Sequence, residues 1–369
     1  MEKQKHILIL GGGISGVCTA YYLRQLGGPT FSITIVDSEG TIAACASGKA
    51  GGFFARDWPQ SELSRNSFEL HKDLATKYNG HTRWLYREVS TYSVHIPLSK
   101  QQPKTASTVS KEEQDWTAAA KSKELIGSPH NTAQVHPRLF CEALFELSGA
   151  RLVHARVIDL LREGDNVSGV SVELEGNGCE NITASEVVIA LGPWSETIAR
   201  EKWGLGIRRV DSQCGHSIVL KPDESVAPIP AECLFTEVGK MEGPEVYPRS
   251  DGTVYMCGGG GMYTEPLPAL PGQVKPLENI TNHLVDLSKK ICPSTLDGAE
   301  VLAKQACFLP SSYGGPMIGR VAPYDNLYIG TANSVWGIMN GPSTGLALAE
   351  LILYGESKSL DISEFNPME

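Results

Sequence analysis

Two apolar runs near the start of the chain, HILIL at 6–10 and SITIVD at 32–37, enclose a glycine-rich turn and a helical pattern. The turn reads Gly11-Gly-Gly13-Ile14-Ser15-Gly16, and Ile14, Val17, Cys18, Tyr21, Tyr22 and Leu26 then recur at nearly helical spacing through 14–27. Strand, turn, helix and strand form a βαβ unit, and Gly-x-Gly-x-x-Gly at its first turn narrows what the unit can hold. Gly11 permits the sharp turn. Gly13 has no Cβ, so a diphosphate can approach the backbone, and Gly16 lets helix and strand pack closely. The unpaired N–H groups and the dipole of the helix start favour an anion there. Asp37 closes the second strand 21 residues after Gly16. A carboxylate at that place accepts hydrogen bonds from a ribose hydroxyl and repels a 2′-phosphate. The unit reads as a dinucleotide site.

A nicotinamide domain would continue in βαβ rhythm. Here GTIAACASGKAGGFFAR follows at 40–56, a loop of small residues containing Ser47, Gly48, Lys49, Ala50, Gly51 and Gly52. An ordered loop of this length is usually functional, and its width suits a flat ring passing backbone amides. Two later segments agree with that. The strand EVVIAL ends at Gly192-Pro193-Trp194, where a cofactor can pass the carboxyl end of the sheet. Segment 326–354, NLYIGTANSVWGIMNGPSTGLALAELILY, reads as strand, glycine-containing loop, and a helix beginning near Pro342, since proline fits a first turn.

These pieces, with YPRSDG at 247–252 and PMIGRV at 316–321, resemble in order the FAD-dependent oxidoreductases of the D-amino-acid oxidase type, which include glycine oxidase and sarcosine oxidase. The resemblance spans nearly the whole chain. It implies an α/β fold: a Rossmann-like FAD-binding domain interleaved with a substrate domain built on a large mixed β-sheet. The FAD-binding domain is expected at 1–84, 131–213 and 304–369, and the substrate domain at 85–130 and 214–303. It also implies roles. Gly11, Gly13, Ile14, Ser15 and Gly16 hold the diphosphate, and Asp37 and Ser38 the adenosine ribose. The 47–52 loop lines the flavin. The backbone of Val157 meets the adenine, and Gly192 and Trp194 border the cofactor. Gly337, Ile338 and Met339 offer N–H groups to the N1–C2=O edge of the flavin, where negative charge gathers on reduction.

The implied chemistry is oxidation of a C–N bond in an amine or amino-acid-like small molecule, with O2 as acceptor and H2O2 as product. No side-chain base is obligatory, because the cofactor performs the hard step. Relatives that oxidise amino acids carry an arginine that grips the substrate carboxylate, and here Leu309 of KQACFLP stands in that place. Arg249 is a substitute cation, and Tyr247, Asn333 and Trp336 are further candidate substrate contacts. Cys307 lies near the place where sarcosine-oxidase relatives bind flavin covalently. Covalent attachment and a plain buried thiol are both open readings. The missing arginine also admits a flavin-binding protein acting as an interaction or trafficking factor, with FAD as a folding ligand.

Composition excludes several partners. The 369 residues carry a net charge of −10, which disfavours nucleic acid and anionic membranes. No apolar run reaches the roughly 18 residues a membrane span needs. The opening MEKQKHILIL is read as leaving no room for a targeting peptide, and nine cysteines without a CxxC pair fit a reducing compartment, so a cytoplasmic location is expected. No metal-type Cys/His cluster occurs. Helices are further expected at 61–78, 137–147 and 278–291, a single alternating strand at 84–96, a solvated excursion at 97–117, and at 258–261 a glycine run that reads equally as a tight turn or as flavin-facing. Oligomeric state has no signature in the sequence.

Overall fold

In strand Lys5–Leu10 the run Ile7-Leu8-Ile9-Leu10 does not alternate with polar residues because both faces of the strand are buried. Ile7 and Ile9 point into a core with Ile33, Ile35 and Val188. Leu8 and Leu10 point into a second core with Val36, Val187 and Ile189. A computed structural model describes residues 5–97, 116–176, 178–226, 228–239, 243–258 and 265–369. The strand is central in an eight-stranded sheet. Phe31–Asp37 and then Arg151–Glu163 flank it in parallel on one side, and Glu186–Ile189 and then Leu327–Thr331 on the other. The antiparallel strands Asn166–Leu174, Gly178–Thr183 and Met317–Arg320 extend the edges. Strand order therefore reverses on either side of Lys5–Leu10, and the crevice beyond the carboxyl ends opens at Gly11, as in doubly wound sheets generally.

The opening helix, Ile14–Gly27, and the last helix, Gly337–Tyr354, cover the first core together. Their contact is backbone-close: a Cβ on Gly345 would lie 2.4 Å from the backbone carbon of Cys18. The last helix begins at Gly337, so Pro342 lies inside it and not in its first turn. Proline has no N–H to give the carbonyl four residues back, that of Ile338. The next N–H, of Ser343, donates instead to Ser67 Oγ at 3.0 Å. The freed carbonyls of Ile338 and Met339 are met by His71 Nε2, at 3.0 and 3.2 Å. His71 reaches them from helix Glu62–Tyr78, which Ser61 caps by accepting from the Ser64 N–H.

A seven-stranded sheet runs in the order Glu300–Ser311, Asp211–Lys221, Val254–Cys257, Glu245–Pro248, Glu232–Val238, Ser90–Ile96, Ser122–Gly127. It is antiparallel apart from the Glu232–Val238 and Ser90–Ile96 pair. Helix Glu278–Ile291 presses Leu284, Leu287 and Ile291 onto one face, against Ile218, Leu234 and Met256. Domain boundaries at 213/214 and 303/304 fall inside strands of this sheet, which pair from Asp211↔Ser311 to Lys221↔Glu300.

The expected 84–96 strand is two strands. Arg87–Glu88 joins a small sheet with Phe53–Ala55 and Thr132–Gln134, and Ser90–Ile96 joins the seven-stranded one, because buried Val89 sits where the chain passes between them. Residues 98–115 of the expected excursion and 259–261 of the glycine run lie outside the described residues. Trp116 and Thr117, at the excursion's end, are buried and not solvated, and Trp116 Nε1 donates to Glu232 at 2.9 Å. Among the described residues, no helix is long and apolar enough to cross a membrane, and no group of His, Cys, Asp and Glu is arranged to hold a metal.

Candidate functional site

The Gly11 turn is held by sterics. Gly11 has φ +109°, and a Cβ there would lie 2.3 Å from the Ala190 carbonyl oxygen. Gly16 is equally crowded, 2.1 Å from the Gly11 oxygen, so it serves packing and does not line the cavity. Gly13 differs: its Cβ direction is open apart from Ser47 Oγ at 3.3 Å. It precedes a helix with no side-chain cap and no acidic residue in its first turn. Among the described residues, only the Ile14 N–H of this helix start is taken by a side chain, donating to Ser47 Oγ at 3.0 Å. Asp37 accepts from the Gly12 N–H at 2.8 Å and the Glu39 N–H at 2.9 Å. Burial pushes its carboxyl above the ordinary value, against those two donors.

These groups open onto one cavity of about 380 Å³. Asp37, Ser38 and Val157 lie on its wall, as do Gly11, Gly13, Ile14 and Ser15. Gly192 and Trp194 wall it further along, with Trp194 Nε1 donating to the Pro268 carbonyl at 2.8 Å. Leu309, Asn333, Gly337 and Ile338 line it too. The last helix, too, begins there without a side-chain cap or an acidic residue in its first turn. Just before it, Ala332 and Ser334 hold left-handed φ values of 63° and 51°, a strain that loops at working sites commonly store. Asn333 is buried, and its Oδ1 accepts from Asn340 Nδ2 at 3.2 Å. Its own Nδ2 has no partner among the described residues. The cavity wall thus carries two uncapped helix starts and, beside the second, an unspent amide donor. Such a wall offers donors to an anion and to a carbonyl edge.

Several residues expected in this site lie elsewhere. Ser47 and Ala50 reach the cavity, while Gly48, Lys49, Gly51 and Gly52 turn away from it. Gly51 makes room for the Tyr247 ring, 2.4 Å from where a Cβ would sit, and Lys49 Nζ donates to the Ala306 carbonyl at 3.1 Å. Gly52 has φ +80° against the Val135 carbonyl. Met339 is buried one residue too deep in the helix to face the cavity. Tyr247 is stacked on Phe53 at 5.3 Å and donates its hydroxyl to Glu245. Its expected place on the cavity wall is therefore not observed, and Arg249 lines a different cavity. Trp336 packs partly buried between two cores. Cys307 is a buried free thiol off the cavity wall, pushed up to about 12 by burial. Of the candidate substrate contacts, Asn333 alone is on the wall. The sequence reading missed the loop 267–271 and Cys45, which also line the cavity. The prolines of PLPALPG mark a loop, but nothing local says where it lies.

A doubly wound sheet whose carboxyl-end crevice holds a glycine turn before an uncapped helix start is the architecture of nucleotide-cofactor enzymes. The chain belongs to the FAD dependent oxidoreductase family (DAO), which matches residues 6–351. It is an FAD-dependent oxidoreductase, and FAD is its cofactor. A Schizosaccharomyces pombe protein named "Putative oxidoreductase C1F5.03c" is 30% identical over 399 aligned residues, covering 100% of this chain and 99% of the relative. Among solved structures, glycine oxidase from Geobacillus kaustophilus superposes with a TM-score of 0.75 at 20% identity, covering 99% of each chain. L-proline dehydrogenase from P. horikoshii gives 0.75 at 18% identity, over 100% of this chain and 98% of that one. At such identities the structures establish a shared fold.

Proposed function

We propose that the protein oxidises a C–N bond of an amine or amino-acid-like small molecule and passes the electrons to O2, releasing H2O2. The observation that carries this reading is the pair of uncapped helix starts facing one cavity. The N–H groups of the opening helix and Ser47 would hold the diphosphate, and Asp37 would accept from the adenosine ribose. The N–H groups of Gly337 and Ile338, with Asn333 Nδ2, would hold the ring's carbonyl edge and stabilise negative charge there. When bound, the flavin supplies the hydride acceptor. The chain's own residues position the substrate and exclude water.

Leu309, Pro310 and Val335 make the wall apolar beside Asn333. A leucine cannot grip a carboxylate, so the site favours an amine on an uncharged body over a free α-amino acid. The division into two domains is proposed to run outside the Asp211–Lys221 and Glu300–Ser311 pair, and the location to be the cytosol. The test is a screen of secondary and primary amines and amino acids for H2O2 release, paired with anaerobic flavin bleaching. Bleaching without H2O2 keeps the C–N oxidation and removes O2 as acceptor. Absence of both for every compound favours the second reading, a flavin-binding interaction factor, which the aromatic packing of Tyr247 on Phe53 supports by closing space at the sheet.

A further inference from the structure

A second cavity, of about 260 Å³, shares the 47–50 loop with the first: Gly48 faces it, while Ser47 and Ala50 face the flavin cavity. Its chemistry is cationic. Arg249 is only 8% exposed, yet its guanidinium makes a single side-chain hydrogen bond among the described residues, from Nη2 to the Ala50 carbonyl at 3.2 Å. Its Nε is inaccessible and has no partner among the described residues. The group lies 5.4 Å over the Tyr255 ring, a cation–π contact. A guanidinium has five N–H donors, and leaving them unspent in a buried place is costly unless an anion fills the space.

Arg138 supplies a second cation from the first turn of helix Pro137–Ser148, and no ion pair or hydrogen bond of its side chain is present among the described residues. Its Nη2 would be 3.3 Å from a Cβ on Gly48. His136 caps that helix by accepting the Leu139 N–H on Nδ1 at 3.4 Å, so the proton of the neutral ring sits on Nε2 as a further donor. Burial and the nearby arginine hold this histidine down to about 4, so it is neutral at pH 7. The one carboxylate on the wall, Asp251, spends Oδ1 on the Thr253 N–H and hydroxyl, at 2.9 and 2.7 Å. Two guanidiniums against one carboxylate leave one positive charge unbalanced, at a helix start that itself favours an anion.

We propose that this cavity is a binding site for a small oxyanion, a carboxylate or a phosphate, held by Arg249 and Arg138 with the Nε2–H of His136. It is separate from the flavin site. Through the Ala50 carbonyl it touches the loop whose other side lines the flavin cavity.

The experiment uses the full chain saturated with FAD, so that the diphosphate cradle is occupied. Inorganic phosphate and succinate are titrated calorimetrically against chloride at matched ionic strength. One or both oxyanions are expected to bind with a stoichiometry of one, and the arm that responds identifies the source. Arg138→Gln is expected to weaken binding at least tenfold while keeping the wild-type flavin spectrum and melting temperature. Arg249→Met is expected to abolish binding, and should it fail to fold, Arg138→Gln decides alone. The proposal is overturned if neither oxyanion gives saturable heat, or if Arg138→Gln binds as tightly as wild type.

Discussion

Replacing His71 with glutamine removes a titratable group from beneath the last helix while leaving a donor in reach of the same carbonyls. His71 is fully buried, stacked on Phe54 at 4.0 Å, and its Nε2 serves Ile338 and Met339. Burial holds its pKa down to about 4, against the two carbonyl contacts, which favour the protonated ring. In the unfolded chain a histidine titrates near 6.5. Below pH 6.5 the unfolded state therefore binds a proton that the native state refuses, so stability is lost as pH falls from about 6.5 to about 4. Each pH unit inside that window is worth about 1.4 kcal/mol, so the loss from pH 7 to pH 5 is about 2 kcal/mol. His136 is depressed to about 4 as well and acts in the same window. Asp37 and Glu245, raised by burial, act in the opposite sense. The difference between wild type and His71→Gln cancels those shared contributions. Denaturant unfolding of FAD-saturated protein from pH 8 to pH 5 measures it. The stability of wild type relative to His71→Gln is expected to fall by about 2 kcal/mol over pH 7 to 5. A difference that stays constant across the range would refute the buried, neutral assignment.

The glycines of the first turn separate by task. Gly11→Ala places a Cβ against the Ala190 carbonyl at a positive φ and is expected to give insoluble protein, while Gly13→Val leaves the apo fold within about 1 kcal/mol and lowers FAD affinity at least tenfold, read by flavin fluorescence and melting curves. Leu309→Arg puts a guanidinium on the cavity wall and is expected to shift turnover or binding toward compounds with a free carboxylate, measured as a fall in their KM or Kd. Cys307 is off the cavity wall with a thiol pushed up to about 12, so acid precipitation is expected to leave the yellow colour in the supernatant; colour in the pellet that Cys307→Ser abolishes would show a covalent link.

The parts of this protein that could be read from its sequence are those whose physics is local. Gly11, Gly13, Ser47 and Asp37 converge within about forty residues, and spacing alone brings them to one crevice. Asp37 and Asn333 meet the same cavity because each lies at or just beyond the carboxyl end of a parallel strand in one sheet, which the apolar runs foretold. Pro342 shows the limit. A proline fits a first turn by local rule, and what lets it sit deeper is His71 and Ser67, both more than 250 residues away. Tyr247 lies in strand Glu245–Pro248 and Arg249 directly follows it. No pattern in their segment tells that the 47–52 loop comes between Arg249 and the cavity, or that Tyr247 fills the space over Gly51.

The strand order has a consequence for biogenesis. Lys5–Leu10 leaves the ribosome well before its neighbour Glu186–Ile189, which comes about 180 residues later, and the next strand, Leu327–Thr331, comes about 140 after that. At roughly 5–20 residues per second the nascent amino-terminal half stays incomplete for about a quarter of a minute to a minute. Ile7 to Leu10 present an uncovered, fully apolar edge until Glu186–Ile189 emerges, and that strand does so in turn until Leu327–Thr331 arrives, which leaves any fragment that stops short of Thr331 prone to aggregate.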